Sequence, residues 1–271
     1  MLRKITCIIL FIFSVGHVQA GEGMRIVSLA PSLTQNMYYL GAQDMLVGRT
    51  SFCEAAAEDD IQVVASAIKV NHEMVVLQRP DLVITTAMTA PETLELLRRF
   101  NIRVEVFPKV NSFEEICRQF LLLGELIGKQ QQAGEIIDDA VKRKEELMAQ
   151  IPAGVAPRIF FQIGARPLFT VVPDTFMDDY IRFAGGINIA ADMSSPTLTR
   201  ESVIVRNPDV IFIVTMGLVG DEEKAIWASY PSLKASQTGR IFIIDSNKAS
   251  NPTPVTFIET LENIIHLLYK S

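Results

Sequence analysis

One internal repeat limits the folds that are open to this chain. Residues 71–84 align without a gap with residues 199–212, so that matched positions lie 128 apart, as Glu73 and Glu201 do. Each glutamate precedes a Pro-Asp pair by seven residues. Each copy predicts a short helix, a turn at the proline and a buried strand. A duplicated helix–strand unit in the two halves of one chain therefore predicts two similar lobes.

Short β-rich segments alternate with amphipathic helical segments on both sides of this repeat. Strands and helices in alternation are typical of α/β folds with mostly parallel sheets. We therefore predict two Rossmann-like lobes. The strands are predicted at residues 25–30, 45–50, 81–86 and 102–108, and again at 157–164, 209–215 and 239–245.

The segment between the two halves predicts how the lobes are joined. Residues 129–151 contain no proline, one glycine and one apolar stripe, and as a helix they would span roughly 35 Å. Such a helix is a stiff connection rather than a flexible linker. We expect an N-terminal lobe at 24–128, a connecting helix at 129–151, a C-terminal lobe at 157–271, and a ligand cleft between the lobes.

The first twenty residues have the pattern of a targeting segment. Arg3 and Lys4 precede an apolar run at 5–15, and Val18 and Ala20 are small residues at a cleavage site. This pattern predicts a secretory signal peptide over residues 1–20, with a membrane anchor as the alternative. Cys7 lies at the start of the apolar run rather than at its end, so no lipid anchor is predicted.

Composition disfavours some partners and leaves one question about the cysteines open. The chain has 25 Lys and Arg against 31 Asp and Glu, a net charge of −6, which disfavours nucleic acid and anionic membrane surfaces. Three cysteines exclude a disulfide scaffold. Cys53 and Cys117 could form one bridge in an oxidising compartment, but the sequence does not decide it. No nucleotide-binding or nucleophile-elbow motif is present.

Four segments, in order, resemble one family of binding proteins. Residues 25–54, 71–84, 184–190 and 199–213 resemble the substrate-binding proteins of ABC importers for cobalamin, ferric siderophores and haem. The resemblance covers Met24 to Tyr269. It implies a periplasmic protein that binds one iron or cobalt chelate between its lobes as a monomer. It also implies delivery to a membrane permease with its ATPase, and no catalysis, resident cofactor or protein-held metal.

The ligand site is predicted where the carboxyl ends of the strands face the cleft. Phe52 and Phe169 are suited to packing on a flat macrocycle, and Arg49 and Arg166 to binding ligand carboxylates or phosphates. Each residue has an ordinary loop role as its alternative. The candidates are Ser32, Thr34, Arg49, Phe52, Cys53, Thr86, Met88, Arg166, Phe169, Thr197, Asn247 and Asn251.

The two repeated glutamates are the predicted docking residues. The resemblance implies that Glu73 and Glu201 each pair with arginines on one of two permease subunits. The alternative is local, because an acidic residue in the first turn of a helix is favoured by the helix dipole alone.

The cargo stays open among the three chelate classes. The single Trp, Trp227, is placed on a helix away from the cleft, whereas the cobalamin-binding relatives have Trp-rich clefts. Gln35 stands where many relatives have an acidic residue. Tyr38 and Tyr39 are interpreted as buried helix residues rather than as haem ligands, and Cys53 as a buried or unpaired thiol.

Two other classes of protein fit the same pattern. An exported tetrapyrrole metal chelatase also has two α/β lobes, but it needs converging ligands, and His72 and His266 are not expected to meet. A chelate scavenger or sensor would dock no permease, and it would not need both Glu73 and Glu201.

Overall fold

The computed structural model describes residues 23–66, 69–214 and 220–270. The predicted signal peptide at 1–20 lies outside these residues. Within them, no helix is both long and apolar enough to cross a membrane.

The first lobe is a five-stranded parallel sheet with the strand order β3-β2-β1-β4-β5. Four of its strands coincide with predicted segments, while β3 was not predicted, because it is a four-residue edge strand with only its last two residues buried. The strands are β1 (Ile26–Ser28), β2 (Leu46–Thr50), β3 (Gln62–Ala65), β4 (Leu82–Thr86) and β5 (Arg103–Phe107).

Three helices accompany this sheet: α1 (Pro31–Tyr39), α2 (His72–Leu77) and α3 (Pro91–Arg99). Proline at the first helical position starts both α1 and α3, where its missing N–H costs no helical hydrogen bond. Leu33 and Met37 of α1 are fully buried in the core of the lobe. The opposite face of α1 is thereby left for the space between the lobes.

The lobes are joined by α4 (Phe113–Leu126) and α5 (Gln130–Met148). The predicted connecting helix, 129–151, corresponds to α5, whose 19 residues span about 28 Å. Residues 149–151 form a turn in place of further helix. Both helices enter both cores, since Phe113 and Leu147 pack with the second lobe and Phe120 and Ala133 with the first. The connection is therefore a packed helix pair rather than α5 alone.

The second lobe is a mostly parallel sheet with the order β10-β9-β6-β7, and β8 also pairs with β6. Only the β6–β7 pairing is antiparallel among these strands. The short strands β7 and β8 were not predicted. The strands are β6 (Arg158–Ala165), β7 (Leu168–Thr170), β8 (Ile187–Asn188), β9 (Val210–Ile213) and β10 (Ile241–Ile243).

Among residues 157–214 and 220–270, six helices complete this lobe, and the last of them packs against α5. Residues 253–256 start that helix with a capping box, in which Thr253 and Thr256 each bind the backbone of the other. The helices are α6 (Phe176–Phe183), α7 (Arg200–Arg206), α8 (Gly220–Ala228), α9 (Lys234–Gln237), α10 (Ser246–Ser250) and α11 (Pro254–Tyr269).

The repeat of the sequence is a repeat of structure. In the first lobe, Asp81 accepts from the backbone N–H of Arg25 at 2.8 Å, and the Arg25 guanidinium donates to the Gln78 carbonyl. In the second lobe, Asp209 and Arg158 form the same pair at 2.9 Å, and the Arg158 guanidinium donates to a carbonyl at the end of α7. The acidic residue of each Pro-Asp pair thus fixes the start of the neighbouring strand.

The two cysteines of the described chain do not form a disulfide. Cys53 and Cys117 are both buried and free. Cys117 lies on α4 in the core of the second lobe, whereas Cys53 follows β2 in the first lobe. The bridge that the sequence left open is therefore not formed.

Candidate functional site

A cavity of about 230 Å³ lies between the lobes, and both lobes line it. The first lobe contributes one face of α1 and the loop after β2, and the second lobe contributes α10 with its flanks and the start of α11. We call this space the interlobe cavity. Its lining residues are Pro31, Gln35, Tyr39, Phe52 and Glu54 from the first lobe, and Asp245, Asn247, Lys248, Asn251, Thr256 and Glu259 from the second.

A direct hydrogen bond crosses the interlobe cavity. The Asn247 amide nitrogen donates to Oε1 of Glu54 at 2.7 Å. Asn247 is held in turn by Asp245, whose side chain caps α10 and accepts from the Asn247 backbone N–H at 2.9 Å. The contact therefore joins a loop of the first lobe to a capped helix start of the second.

The cavity wall carries three carboxylates, from Glu54, Asp245 and Glu259, and the Lys248 ammonium. Lys248 and Glu259 form an ion pair at 2.6 Å, and this pairing raises the pKa of Lys248. Burial raises the pKa of the Tyr39 phenol, the charge of Glu259 adds to the rise, and Gln35 and Lys248 oppose it. Tyr39 therefore presents a neutral hydroxyl to the cavity near neutral pH.

Three predicted ligand residues line the interlobe cavity: Phe52, Asn247 and Asn251. Phe52 exposes 48% of its surface, so a ligand can cover its ring. Ser32, at the start of α1, and Arg49, on β2, are half-buried and are not among the lining residues. Contact of any of these residues with a ligand remains a prediction.

Thr34 and Cys53 do not fit the predicted ligand contact, because both side chains are buried beneath the cavity wall. The Thr34 hydroxyl donates to Ser28 at 2.9 Å and lies 3.0 Å from the Cys53 sulfur. Thr50 lies 3.2 Å from the same sulfur. The contact between Thr34 and Cys53 thus anchors the loop after β2 to α1. This loop carries Phe52 and Glu54.

The other predicted ligand residues lie outside the cavity lining. Thr86 ends β4 half-buried, and Met88 exposes 90% of its surface just beyond it. In the second lobe, Phe169 pairs with Thr197 in an isolated bridge and packs over Gly164, where a Cβ would lie 2.8 Å from the ring. Arg166 is exposed in the turn before β7.

Sequence reasoning missed most of the residues that line the cavity. Tyr39, interpreted as a buried helix residue, lies on α1 half-buried against the core of the first lobe and also lines the cavity. The spacing of Pro31, Gln35 and Tyr39 carried the signal, because positions four apart share one helix face and Leu33 and Met37 already occupy the opposite one. Glu54, Asp245, Lys248 and Glu259 gave no comparable signal, because their roles depend on the approach of the two lobes.

Trp227 lies on α8, as predicted, and is not among the residues that line the cavity. It is fully buried, and its indole N–H donates to Gln162 at 2.6 Å. Gln162 in turn donates to the buried Glu223 at 2.8 Å, and Arg200 donates to both oxygens of Glu223 at 2.8 and 2.7 Å. This buried network ties the first residue of α7 to β6 and α8.

The predicted docking glutamates occupy equivalent and exposed positions on their lobes. Glu73 is in the first turn of α2 after the cap Asn71, and Glu201 is in the first turn of α7 after the cap Thr199. Hydrogen bonds from its own backbone N–H and from Thr199 lower the pKa of Glu201. In the part of the chain that the structure describes, neither carboxylate forms an ion pair with Lys or Arg.

No protein-held metal site is found in the described residues. Over 23–66, 69–214 and 220–270, no group of three or more His, Cys, Asp or Glu side chains lies close enough to hold a metal ion. His72 starts α2 in the first lobe, and His266 lies in the last turns of α11 in the second.

Comparison with known families agrees with this architecture. Residues 26–248 match the family model described as periplasmic binding protein. The chain belongs to the periplasmic binding protein family. The resemblance inferred from the four ordered segments is thereby confirmed.

Relatives of this binding protein match it over nearly its whole length. A vitamin B12-binding protein of Vibrio cholerae is 25% identical over 268 residues, which cover 97% of this chain and 96% of the relative. An uncharacterised ABC transporter substrate-binding lipoprotein of Bacillus subtilis is 26% identical and covers 92% and 81%. A periplasmic haem-binding protein of Vibrio cholerae shares the fold with a TM-score of 0.81 at 22% identity, covering 91% and 99%.

Proposed function

We propose that this protein is the exported substrate-binding component of an ABC importer. It captures one metal chelate in the interlobe cavity and delivers the chelate to a membrane permease with its ATPase. The observation that carries the proposal is the cavity itself, which both lobes line and which Glu54 and Asn247 bridge at 2.7 Å. Family membership and the relatives named for vitamin B12 and for ABC transport support it.

We propose cobalamin, haem or a ferric siderophore as the cargo. The Phe52 and Tyr39 rings offer flat apolar surface to such a chelate, while Gln35, Asn247 and Asn251 offer amide hydrogen bonds. At about 230 Å³, the cavity is smaller than the roughly 300–1,000 Å³ of most small-molecule pockets. A macrocyclic chelate therefore either protrudes from the cavity or separates Glu54 from Asn247.

Delivery is proposed to rest on Glu73 and Glu201. Both are exposed and without an ion pair in the described structure, as residues that await a cationic partner would be. An exposed ion pair contributes about 0–1 kcal/mol, so the two carboxylates fix orientation and speed the encounter more than they add affinity. This suits a monomeric carrier, exported through its signal peptide at residues 1–20, that docks and releases once per cycle.

The direct test is a thermal-shift and absorbance titration of the mature protein with haem, cyanocobalamin and several ferric siderophores. A ligand at about 100 times its dissociation constant adds about 2.7 kcal/mol to the free energy of unfolding, or about 5–10 °C in Tm for a chain of this size. One chelate is expected to give such a shift. A folded sample that no chelate shifts would contradict the proposed cargo class.

A second measurement separates an importer from a scavenger or a chelatase. The variant E73A/E201A is expected to keep the ligand-induced shift and to lose uptake by cells that depend on this protein. Unchanged uptake would favour a scavenger or sensor. Appearance of a metallated tetrapyrrole from free macrocycle and metal ion, followed by absorbance, would favour a chelatase instead.

A further inference from the structure

An exposed apolar residue follows each docking glutamate by one helical turn. Leu77 on α2 exposes 69% of its surface, and Val205 on α7 exposes 83%. These two residues lie 128 positions apart, so they are matched within the repeat, as Glu73 and Glu201 are. Residues four apart lie on the same face of a helix, so each lobe presents one carboxylate beside one apolar side chain. We call each of these a Glu-apolar pair.

The opposite face of both helices explains why this placement is fixed. Val75 and Val203, also matched in the repeat, are fully buried in the cores of their lobes. A residue two positions along a helix is rotated by about 200°, so the buried valines turn the Glu-apolar pairs outward. The two pairs are thus held in equivalent orientations on the two lobes.

Helix stability does not account for Val205, because Val is disfavoured at an exposed helical position by its restricted side-chain rotamers. Leu is a good helix former, so for Leu77 the argument rests on its match with Val205 in the repeat. A single exposed apolar residue needs no explanation. Exposure at the same repeat position in both lobes, one turn from the same glutamate, does.

Around Leu77 the apolar surface is wider than one side chain. Leu77, Val63, Val76 and Phe100 line a shallow groove that Glu73 also borders. Val63 and Phe100 are themselves exposed, with 51% of the Phe100 surface accessible. Lys69 lines this groove as well as Glu73, so the first lobe offers an apolar patch whose edge carries one carboxylate and one ammonium.

We propose that Leu77 and Val205 are the apolar contacts of the permease-docking surface, each inserting beside the cation that its glutamate binds. The partner that fits is a membrane permease with two equivalent sites, each with a basic residue next to an apolar depression. The exposed glutamate of each Glu-apolar pair is complementary in charge to a basic residue of the partner. Because each lobe has one such pair, the partner needs two equivalent sites. This inference rests on the proposed function and adds to it the residues that hold the docked complex together.

The two parts of each pair predict different behaviour in salt. Attraction between exposed charges is screened over about 8 Å at physiological ionic strength and over about 3 Å at 1 M salt. Burial of apolar surface is not screened in this way. Loss of the glutamates is therefore expected to slow association, most strongly at low salt, and loss of Leu77 and Val205 to speed dissociation at any salt.

The test measures binding of the full-length mature protein to its own organism's permease–ATPase complex in lipid nanodiscs by interferometry. L77S/V205S is expected to weaken binding by about tenfold or more, mainly through the dissociation rate, at low salt and at about 0.5 M NaCl. The matched control is Val155→Ser, an equally apolar exposed site in the turn after α5. The thermal midpoint and the ligand-induced shift of each variant are expected to match wild type.

Three outcomes decide the inference. Weakening by L77S/V205S but not by V155S supports it. Weakening by E73A/E201A with no change for L77S/V205S overturns it and leaves docking through the carboxylates intact. Wild-type protein that binds no permease complex overturns the inference together with the proposed delivery, while the ligand titration still reports separately on cargo binding.

Discussion

Glu54 and Asn247, 193 residues apart in the chain, meet across the interlobe cavity, with the Asn247 amide donating to the Glu54 carboxylate at 2.7 Å. Neither residue belongs to the connecting helices, so this contact is a second link between the lobes. The carboxylate and the amide are also exposed to the cavity, where a ligand can compete for both. The bond therefore ties the two sides of the cavity together, and under the proposed function it is expected to be exchanged for ligand contacts.

A charge at position 247 tests this link. N247D places a carboxylate against Glu54 and is expected to lower the free energy of unfolding by about 1 kcal/mol, or about 2–4 °C in Tm. Adding E54Q is expected to restore most of the loss, because an amide can donate to the new carboxylate. The control N251D, on the same cavity wall, lacks the Glu54 contact and is expected to change Tm less. Equal losses for N247D and N251D would show that the bridge does not form in solution.

Phe52 tests the location of the ligand. F52A is expected to weaken binding of the chelate identified by titration by about tenfold, through lost ring contact of roughly 1.4 kcal/mol. Phe100 is the matched control, since it exposes 51% of its surface against 48% for Phe52 but does not line the interlobe cavity. Absorbance titration gives both dissociation constants. A larger loss for F100A than for F52A would move the binding site away from this cavity.

Arg79 tests the strain at the turn of the repeat. Arg79 has φ of 46°, and its repeat partner Asn207 has φ of 47°, a left-handed conformation that Asn tolerates better than Arg. R79N is expected to stabilise the protein by about 0.5–1 kcal/mol in urea unfolding. The reverse change, N207R, is expected to destabilise it, since it also removes the acceptor of the Lys234 backbone N–H at 3.0 Å. A neutral or negative effect of R79N would refute the strain argument.

The buried pair of Glu223 and Arg200 tests the core of the second lobe. E223L leaves the Arg200 guanidinium without its carboxylate partner and removes one of two acceptors of the Gln162 amide, which keeps the Gly164 carbonyl at 3.2 Å. The change is expected to cost about 1.5–3 kcal/mol of unfolding free energy, since Arg200 is partly exposed. The double variant R200M/E223L is expected to regain most of it. The control E222L changes an exposed neighbour. Trp227 is the only Trp and contacts this network, so its fluorescence reports the unfolding, and an E223L loss no larger than that of E222L would contradict the prediction.

The buried thiol of Cys117 is expected to lower the free energy of unfolding at alkaline pH. Burial, followed by the charge of Glu114, raises the pKa of its thiol from 9.0 to about 12. A folded-state pKa above the unfolded one contributes stability that is complete below about pH 9 and is lost between about pH 9 and 12, by up to about 1.4 kcal/mol per pH unit. C117V removes this titration and is expected to flatten the dependence of urea midpoints on pH over that range. Burial raises the pKa of Tyr180 in the same direction, so C117V retains part of the slope. Identical slopes for the two proteins would rule out the Cys117 contribution.

The helices and strands that depend on a local sequence pattern could be predicted from the sequence. The repeat at 71–84 and 199–212 and seven of the strands are local or periodic signals, and they appear where they were predicted. Helix α5 lies within the predicted segment 129–151, but the sequence did not predict that α4 shares the connection. The strands β3, β7 and β8 are two to four residues long, too short for an alternating pattern to accumulate. They form because a neighbouring strand edge offers them hydrogen bonds.

The site was predicted less completely, for a related reason. Phe52, Asn247 and Asn251 follow strands, and the rule that strand ends face the cleft found them. The same rule selected Thr34 and Cys53, which the fold turns inward to meet each other at 3.0 Å. Whether a loop side chain points out or in depends on which neighbour it packs against, and that neighbour is distant in sequence.

The sequence by itself determined that this protein has two related α/β lobes, a helical connection and a matched acidic residue on each lobe, because hydrophobic periodicity and a gap-free repeat are properties of the chain alone. The tertiary structure alone decided that Tyr39, Glu54, Lys248 and Glu259 line one cavity, and that Leu77 and Val205 are exposed beside Glu73 and Glu201. The first relationship depends on how the lobes are placed against each other, which the packing of α4 and α5 against two cores helps to set. The second depends on which face of α2 and α7 is buried, which Val75 and Val203 decide in the cores of their own lobes.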